Sequence, residues 1–355
     1  MKLTIGTQKL QALLNKAIKG AGCNGVIPMT SLIAIKLKDG LLTLTTTDAT
    51  NYFTVMSRDV AGEDFYVAVK VELLTKLVAK MTCENVTLEV TENSLTVSGN
   101  GEYQIALDIE DDGSLVVLPN PIESFNKDTE IGKVDVSVIN TALTAVKPAL
   151  AKDVEEPWYK CYYVGDSIMG TDTYTVADYN KGFLKEPRLI SPVVMELLGL
   201  LSGDITVYAN DNKMLFESEI GSVYAVAPNG IENYSITQLK EYVKQDFTYS
   251  CKVVKSALLK LLDRITLFAG EFDNGKITLI FDEDGLEVDS AYANEAIPYA
   301  EATNVGNFTC ATDVITLAEQ VKAQTGSEFV IEFGSEDTIK LIDGDITSII
   351  ALLDE

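Results

Sequence analysis

The sequence predicts an α+β fold written three times over, each copy consisting of two helices packed on antiparallel sheets. Three observations carry the prediction. Segments with apolar residues at helical spacing are interleaved with segments in which apolar and polar residues alternate one by one. Their order, helix then strands, helix then strands, returns twice after its first appearance. And 355 residues, 46% of them hydrophobic, exceed one ordinary core and call for domains of about 100–150 residues.

The first copy opens with a helix over 7–19, TQKLQALLNKAIK. Strands follow at SLIAIKLKDG, LLTLTTTDATNYFTVMSR and FYVAV, where Leu42 and Leu44 mark a half-buried alternation. A second helix, 70–81, leads into NVTLEV, SLTVSG and EYQIALD. After a loop holding Pro119 and Pro121 the order repeats. A helix over 136–152, kinked or ended by Pro148, precedes YKCYYVG, SIMGTDTYTVADYN and GFLK. A helix over 190–202 precedes DITVYA, KMLFESE and SVYAVAP. The third copy begins with a helix over 252–265, KVVKSALLKLLDRI, and continues through KITLIFD, GLEVDSAYANEA and NFTCA. A helix over 313–325 and the strands EFVIEFG, DTIKLID and TSIIALL complete it. The turn signals Lys-Asp-Gly at 38–40 and Asp-Glu-Asp-Gly at 282–285 punctuate copies one and three alike. The domain boundaries that follow are 1–122, 123–245 and 246–355.

Composition argues against catalysis. The chain has no histidine, which removes the commonest general base, the commonest transition-metal ligand and every Ser-His or Cys-His pair. GxxxxGK[ST] is absent, and GAGCNG at 20–25 matches no phosphate loop. The acids sit in scattered turns; DEDG at 282–285 lacks the other oxygen positions of a calcium loop. No cofactor and no metal are expected. Cys23, Cys83, Cys161, Cys251 and Cys310 lie far apart without a CxxC, which reads as reduced structural thiols. No run approaches the roughly 20 apolar residues of a membrane span, and the start MKLTIGTQKLQALL lacks a signal-peptide core. A soluble, cytoplasmic protein is expected.

Charge is distributed unevenly. The formal net charge is -25, yet the six predicted helices hold thirteen basic and five acidic residues, against fifteen basic and forty-eight acidic elsewhere. Lysine is a good helix former and acids favour turns, so part of this asymmetry is unselected. Positive helices on a negative body are also what a DNA-embracing protein needs, because the helices attract phosphate and the remainder repels it. On this reading the DNA-facing candidates are Lys9, Lys16, Lys19, Lys76, Lys80, Lys147, Lys152, Lys252, Lys255, Lys260, Arg264 and Lys322.

The three-unit order, the start MKLTIGTQKLQALL, the segment SLIAIKLKDGLLTLTTTDAT, the block YYVGDSIMGTDTYTVAD and the length together resemble the bacterial DNA polymerase III beta subunit, the beta sliding clamp family. The resemblance spans essentially the whole chain and rests on the ordered series, since no single motif is a signature. It implies three DNA-clamp domains per chain and a head-to-tail homodimer whose six domains form a ring. Twelve helices would line the hole, and edge strands of the first domain would pair with the partner's third. Such a ring is a non-catalytic processivity factor, tethering a replicative polymerase to double-stranded DNA without reading bases.

The resemblance also implies residue roles. Polymerase and clamp loader would insert short peptides into a groove matching Val164, Thr171, Thr173, Tyr174, Thr175 and Val176, Ile236 and Thr237 from the connection, and Thr338, Ile349 and Ala351. Asn24 stands where an arginine often touches DNA, and Tyr162 and Tyr163 match a tyrosine pair beside the DNA path. The chain departs from the family where Thr173, Tyr174 and Thr175 replace a glycine, a basic or aromatic residue and an arginine. It departs again where Ala351, Leu352, Leu353, Asp354 and Glu355 replace a Met-Pro-Met ending. Two other classes stay open from the residues alone: a repeat-built scaffold or adhesion protein that does not bind DNA, and a hydrolase working through paired carboxylates.

Overall fold

The computed structural model describes residues 1–22, 26–110, 114–272 and 275–354. Among them the helices are α1 (Thr7–Ala17), α2 (Val71–Val78), α3 (Val136–Ala145), α4 (Pro192–Gly199), α5 (Ile236–Lys244), α6 (Lys255–Phe272) and α7 (Val314–Ala323). Every one except α5 belongs to a module of strand, helix and three strands, and the described residues make six such modules. The first is Lys2–Gly6, α1, Leu32–Lys38, Leu41–Thr47 and Tyr52–Ser57; the second is Phe65–Lys70, α2, Asn85–Val90, Ser94–Ser98 and Glu102–Ala106. The third is Glu130–Asp135, α3, Tyr162–Val164, Ile168–Thr171 and Thr175–Tyr179. Arg188–Ile190, α4, Asp204–Asn210, Lys213–Ser218 and Gly221–Val226 form the fourth. The fifth is Tyr249–Val254, α6, Lys276–Phe281, Leu286–Ser290 and Ala293–Ile297, and the sixth is Phe308–Asp313, α7, Glu328–Phe333, Thr338–Asp343 and Ile346–Ala351.

Successive modules exchange their leading strands. Lys2–Gly6 pairs with Asn85–Val90, and Phe65–Lys70 with Leu32–Lys38. The same reciprocal exchange joins modules three and four and modules five and six. All these pairings are antiparallel, and while some strands alternate between buried and open residues, others such as Tyr52–Ser57 and Gly221–Val226 are buried on both faces.

Each sequence-predicted helix exists, but begins later or ends earlier than its spacing suggested; at the later starts of α2, α6 and α7 a strand runs directly into the helix. Cys251 and Val253 are fully buried while Lys252 and Val254 are not, so the two-residue period persists to Val254 and α6 starts only at Lys255. Lys252 is therefore a strand residue, not a helical one. Pro148 does end its helix: α3 stops at Ala145 and a 3₁₀ turn, Lys147–Ala149, follows. With observed boundaries those six helices hold seven basic and five acidic residues. The charge asymmetry contracts, because Lys19, Lys70, Lys80, Lys147, Lys152 and Lys252 lie just beyond helix ends.

The chain divides into two compact units, Met1–Val136 with Val193–Ala227, and Ser137–Pro192 with Pro228–Glu355. In the first unit, α1 buries Leu10, Leu13, Leu14 and Ala17, and α2 buries Val71, Leu74 and Val78. In the second, Leu258, Leu261, Leu262 and Ile265 of α6 meet Val314, Leu317 and Val321 of α7 over a floor where Phe281 and Phe333 stack 3.9 Å apart. Asp313 caps α7 by accepting from the Thr316 backbone N–H at 2.7 Å. No helix among the described residues is long and apolar enough to cross a membrane.

Each unit contains one junction between final strands. Tyr52–Ser57 pairs with Gly221–Val226 in the first, and Thr175–Tyr179 with Ile346–Ala351 in the second. The final strands of modules two and five, Glu102–Ala106 and Ala293–Ile297, are instead sheet edges.

Candidate functional site

The second junction carries a recess. Its first wall is the tight turn between Ile168–Thr171 and Thr175–Tyr179. Asp172 accepts from the N–H groups of Tyr174 and Thr175 at 3.0 and 2.6 Å, and Thr171 Oγ1 accepts from Thr173 N–H at 3.0 Å. Threonine and aspartate side chains mimic backbone turns in this way. The geometry forces Thr173 to φ 80°, a left-handed conformation that a β-branched residue resists. It also pushes Tyr174 outward, 72% exposed, while its carbonyl takes a hydrogen bond from Ala351 N–H at 2.8 Å.

The second wall is α5. Ser235, Gln238, Leu239 and Tyr242 recur at helical spacing and face the recess. The helix is tethered at both ends. Lys240 Nζ lies 2.6 Å from the Asp166 carboxylate, and this hydrogen bond holds the Asp166 carboxyl below its usual range. Past its C-terminus, buried Lys340 donates to Gln245 O at 2.7 Å, pairs with Glu332 at 2.8 Å and sits over the Phe247 ring. Tyr234, just before α5, is buried between Tyr159 and Tyr163, with ring centroids 5.4 and 5.7 Å away, and burial drives its hydroxyl pKa far upward. Val176, Thr338, Ile349 and Ala351 form the floor of a recess of about 370 Å³.

Of the sequence-predicted groove residues, the structure brings together Thr171, Thr173, Tyr174, Val176, Thr338, Ile349 and Ala351. Val164 and Thr175 do not line it; both are completely buried strand residues. Ile236 packs into the cluster behind α5 and Thr237 is exposed on another face, so neither reaches the recess. Leu239, Gln238 and Tyr242 take that part, with Tyr159 on the rim. Their signal was present in the sequence, since ITQLKEYVK has helical apolar spacing, but it lay in a stretch read as a connection.

The predicted DNA-facing residues fall into three groups. Several lysines are engaged. Lys9 pairs with Asp59 at 3.1 Å, Lys76 with Glu72 at 2.7 Å and Lys152 with Glu319 at 3.4 Å; Lys252 lies 3.6 Å from Glu328. Arg264 grips Glu295 through two nitrogens, Lys16 donates to Leu200 O at 2.7 Å, and Lys255 donates to the carbonyls of Lys322 and Gln324 at the end of α7. Lys19, Lys80, Lys260 and Lys322 are exposed, with no side-chain ion pair among the described residues. Tyr162 and Tyr163 are a correction. Both are buried in the sheet, Tyr162 wholly, so neither offers a surface to phosphate. Asn24 lies outside the described residues. In the second unit Lys147, Lys152 and Lys322 converge around an apolar hollow floored by Leu143, Pro148 and Leu150, and Lys160, which no helical pattern marked, joins them.

Among the described residues no cluster of three metal-ligating side chains occurs. Cys83, Cys161, Cys251 and Cys310 are free thiols; burial pushes Cys161 up to about 11 and Cys251 and Cys310 up to about 12, which keeps them protonated and unreactive.

Residues 1–117 match the family described as DNA polymerase III beta subunit, N-terminal domain. Over its whole length the chain superposes on the DNA polymerase III beta chain of Streptococcus pneumoniae TIGR4, with TM-score 0.84, 14% identity and full coverage of both chains. The first third of the chain thus matches the beta-subunit family model, and the whole chain has the fold of the solved beta subunits. The beta-clamp fold also matches the DNA polymerase sliding clamp of Bacillus subtilis, with TM-score 0.83 and 16% identity over 100% of this chain and 99% of that one. A beta clamp of Helicobacter pylori, solved bound to a DNA ligase peptide, gives TM-score 0.81 at 12% identity with full coverage of both. No curated protein sequence matches the chain. At these identities the whole-chain likeness is one of fold.

Proposed function

We propose that two copies of this chain close head to tail into a sliding clamp that encircles duplex DNA and tethers a polymerase. The observation that carries the reading is the unequal treatment of final strands. Two equivalent junctions are made within the chain, and the strands that would make a third, Glu102–Ala106 and Ala293–Ile297, are left as edges. An unpaired edge invites another strand. One copy's Glu102–Ala106 meeting a second copy's Ala293–Ile297 completes the pattern at both ends. Leu267 and Phe268, exposed on α6, and Tyr103 on the other edge add apolar surface for that contact.

The reading takes the repeat boundaries 1–122, 123–245 and 246–355 as the three domains of each copy. It is non-catalytic: topology retains the DNA, and lysines need only weak, sequence-independent phosphate contacts. Lys19, Lys80, Lys260 and Lys322 are the foremost contacts, with the Lys147, Lys152 and Lys160 group beside Lys322. The exposed ion pairs of Lys9 and Lys76 are individually weak enough to open toward phosphate. The recess at the second junction receives short peptides from polymerase and loader, as the Helicobacter pylori clamp receives a ligase peptide. Free, protonated thiols suit a cytoplasmic location.

Two measurements test the proposal. Sedimentation should give twice the chain mass of 38.6 kDa. Protein loaded on nicked circular DNA should be retained and then lost when the circle is cut. A monomer at all concentrations, or equal loss from circles and linear DNA, would sink it.

A further inference from the structure

We infer that the recess selects a peptide carrying an arginine or lysine beside its apolar anchor. This rests on the peptide-groove reading above and adds the chemistry of the guest. Val176, Leu239, Ile349 and Ala351 offer an apolar floor for the anchor. Around it stand three tyrosines, Tyr159, Tyr174 and Tyr242, the last two 72% and 43% exposed. Aromatic faces attract cations, arginine above all. Asp337 is the one charged side chain in the lining; it is exposed, and its carboxylate takes no hydrogen bond or ion pair among the described residues.

No cation in the lining competes for that carboxylate. The lysines of α5 point elsewhere: Lys240 is committed to Asp166, and Lys244, at 100° per residue, falls opposite the Gln238–Tyr242 face. Lys340 is buried beneath the α5 terminus and spent on Glu332 and backbone carbonyls. A formal charge of -25 adds a long-range bias toward basic guests and against acidic ones. A basic side chain lying between Asp337 and the tyrosine faces would have both partners it needs, whereas an acidic one would have neither.

The test uses the full chain and three fluorescein-labelled nonapeptides, identical except that the residue flanking a central Leu-Leu pair is Arg, Gln or Glu. Fluorescence anisotropy should rank them Arg, Gln, Glu, with the Arg peptide about tenfold or more tighter than the Glu peptide, and the gap should narrow in high salt. Asp337→Lys should invert the order and Asp337→Asn should erase most of it. Both variants should melt with the parent, because Asp337 is exposed. Equal affinity for the three peptides, or an order unchanged by Asp337→Lys, overturns the basic preference while leaving the groove in place. If none of the three binds the parent chain, the groove reading and this inference fall together.

Discussion

The two junctions that close within the chain begin from the same turn and finish differently. Thr47-Asp48-Ala49-Thr50-Asn51 repeats the hydrogen bonds of Thr171-Asp172-Thr173-Tyr174-Thr175 one for one. Asp48 accepts from Thr50 and Asn51 N–H at 2.9 and 2.6 Å, Thr47 Oγ1 accepts from Ala49 N–H at 2.9 Å, and Ala49 sits at φ 82°. Register makes Tyr52 and Tyr224 the counterparts of Val176 and Ile349. There the likeness stops. In the first junction the two tyrosines meet edge to face at 5.9 Å, and the connecting segment lays Ile122 and Phe125 on top of them. A hollow of about 550 Å³ remains, lined chiefly by Ala49, Thr50, Pro119, Asn120, Pro121 and Ser124 beside the tyrosine edges, with little apolar floor to hold an anchor. In the second junction the connection coils into α5, which stands as a wall, and the smaller Val176 and Ile349, though largely buried, form part of the floor of the recess. One kind of turn thus supports a joint closed over by its own aromatics and a seat open at its rim, where Tyr174 and Tyr242 are exposed; what separates them is side-chain size at two positions and the path of a linker.

The sharpest way to break the comparison is to give the open seat the filling of the closed one. Val176→Tyr with Ile349→Tyr should cost about two orders of magnitude in peptide affinity, roughly 3 kcal/mol, as read by anisotropy. Undiminished binding would show that the recess is not where peptides sit. Truncation comes next. Tyr224→Ala should lower stability by about 3 kcal/mol in urea titrations while leaving peptide affinity alone; Ile349→Ala should lose about 2–3 kcal/mol and also weaken the peptide. Equal effects of both on binding would erase the functional distinction.

A smaller effect tests the shared turn. Glycine tolerates a left-handed backbone that side chains resist, so Thr173→Gly should raise stability by about 1 kcal/mol, and Ala49→Gly by less because alanine is not β-branched. The least effect concerns the α5 tether. Lys240 lowers the Asp166 pKa in the folded chain. Its stabilisation is therefore complete above the ordinary carboxylate range and fades as acid takes pH through the lowered folded value. The Asp166 carboxylate is largely exposed, so Asp166→Asn should cost no more than about 0.5 kcal/mol at neutral pH and should flatten the acid dependence of hydrogen exchange in α5.

Much of the fold was legible because alternation and helical spacing are written plainly in Leu42–Leu44, Val86–Leu88 and the α6 stripe. The leading strands of modules two and six were read as FYVAV and NFTCA, but those of modules one, three, four and five were missed, since strand runs almost directly into helix and valines serve both elements, as at Val253 and Val254. The threonine–aspartate turn of the recess was run together with its flanking strands as SIMGTDTYTVADYN, and its residues were legible only through the family resemblance. The far wall was not, because nothing local says which face of ITQLKEYVK a distant strand will leave open. Burial of Tyr162 and Tyr163 likewise depends on sheets brought together from remote sequence. Lys160 stands out only once a 3₁₀ turn sets it beside Lys147 and Lys322.

The edges Glu102–Ala106 and Ala293–Ile297 have one more consequence. They are different surfaces, so any contact between them is heterologous, and strand pairing by itself places no limit on how many copies may join. A closed pair results only if the rotation from copy to copy is a half-turn without translation; another exact fraction of a turn closes a larger ring, and a rotation that matches none directs the same contacts into an open filament. How each subunit presents its two edges then decides between a finite particle and a polymer.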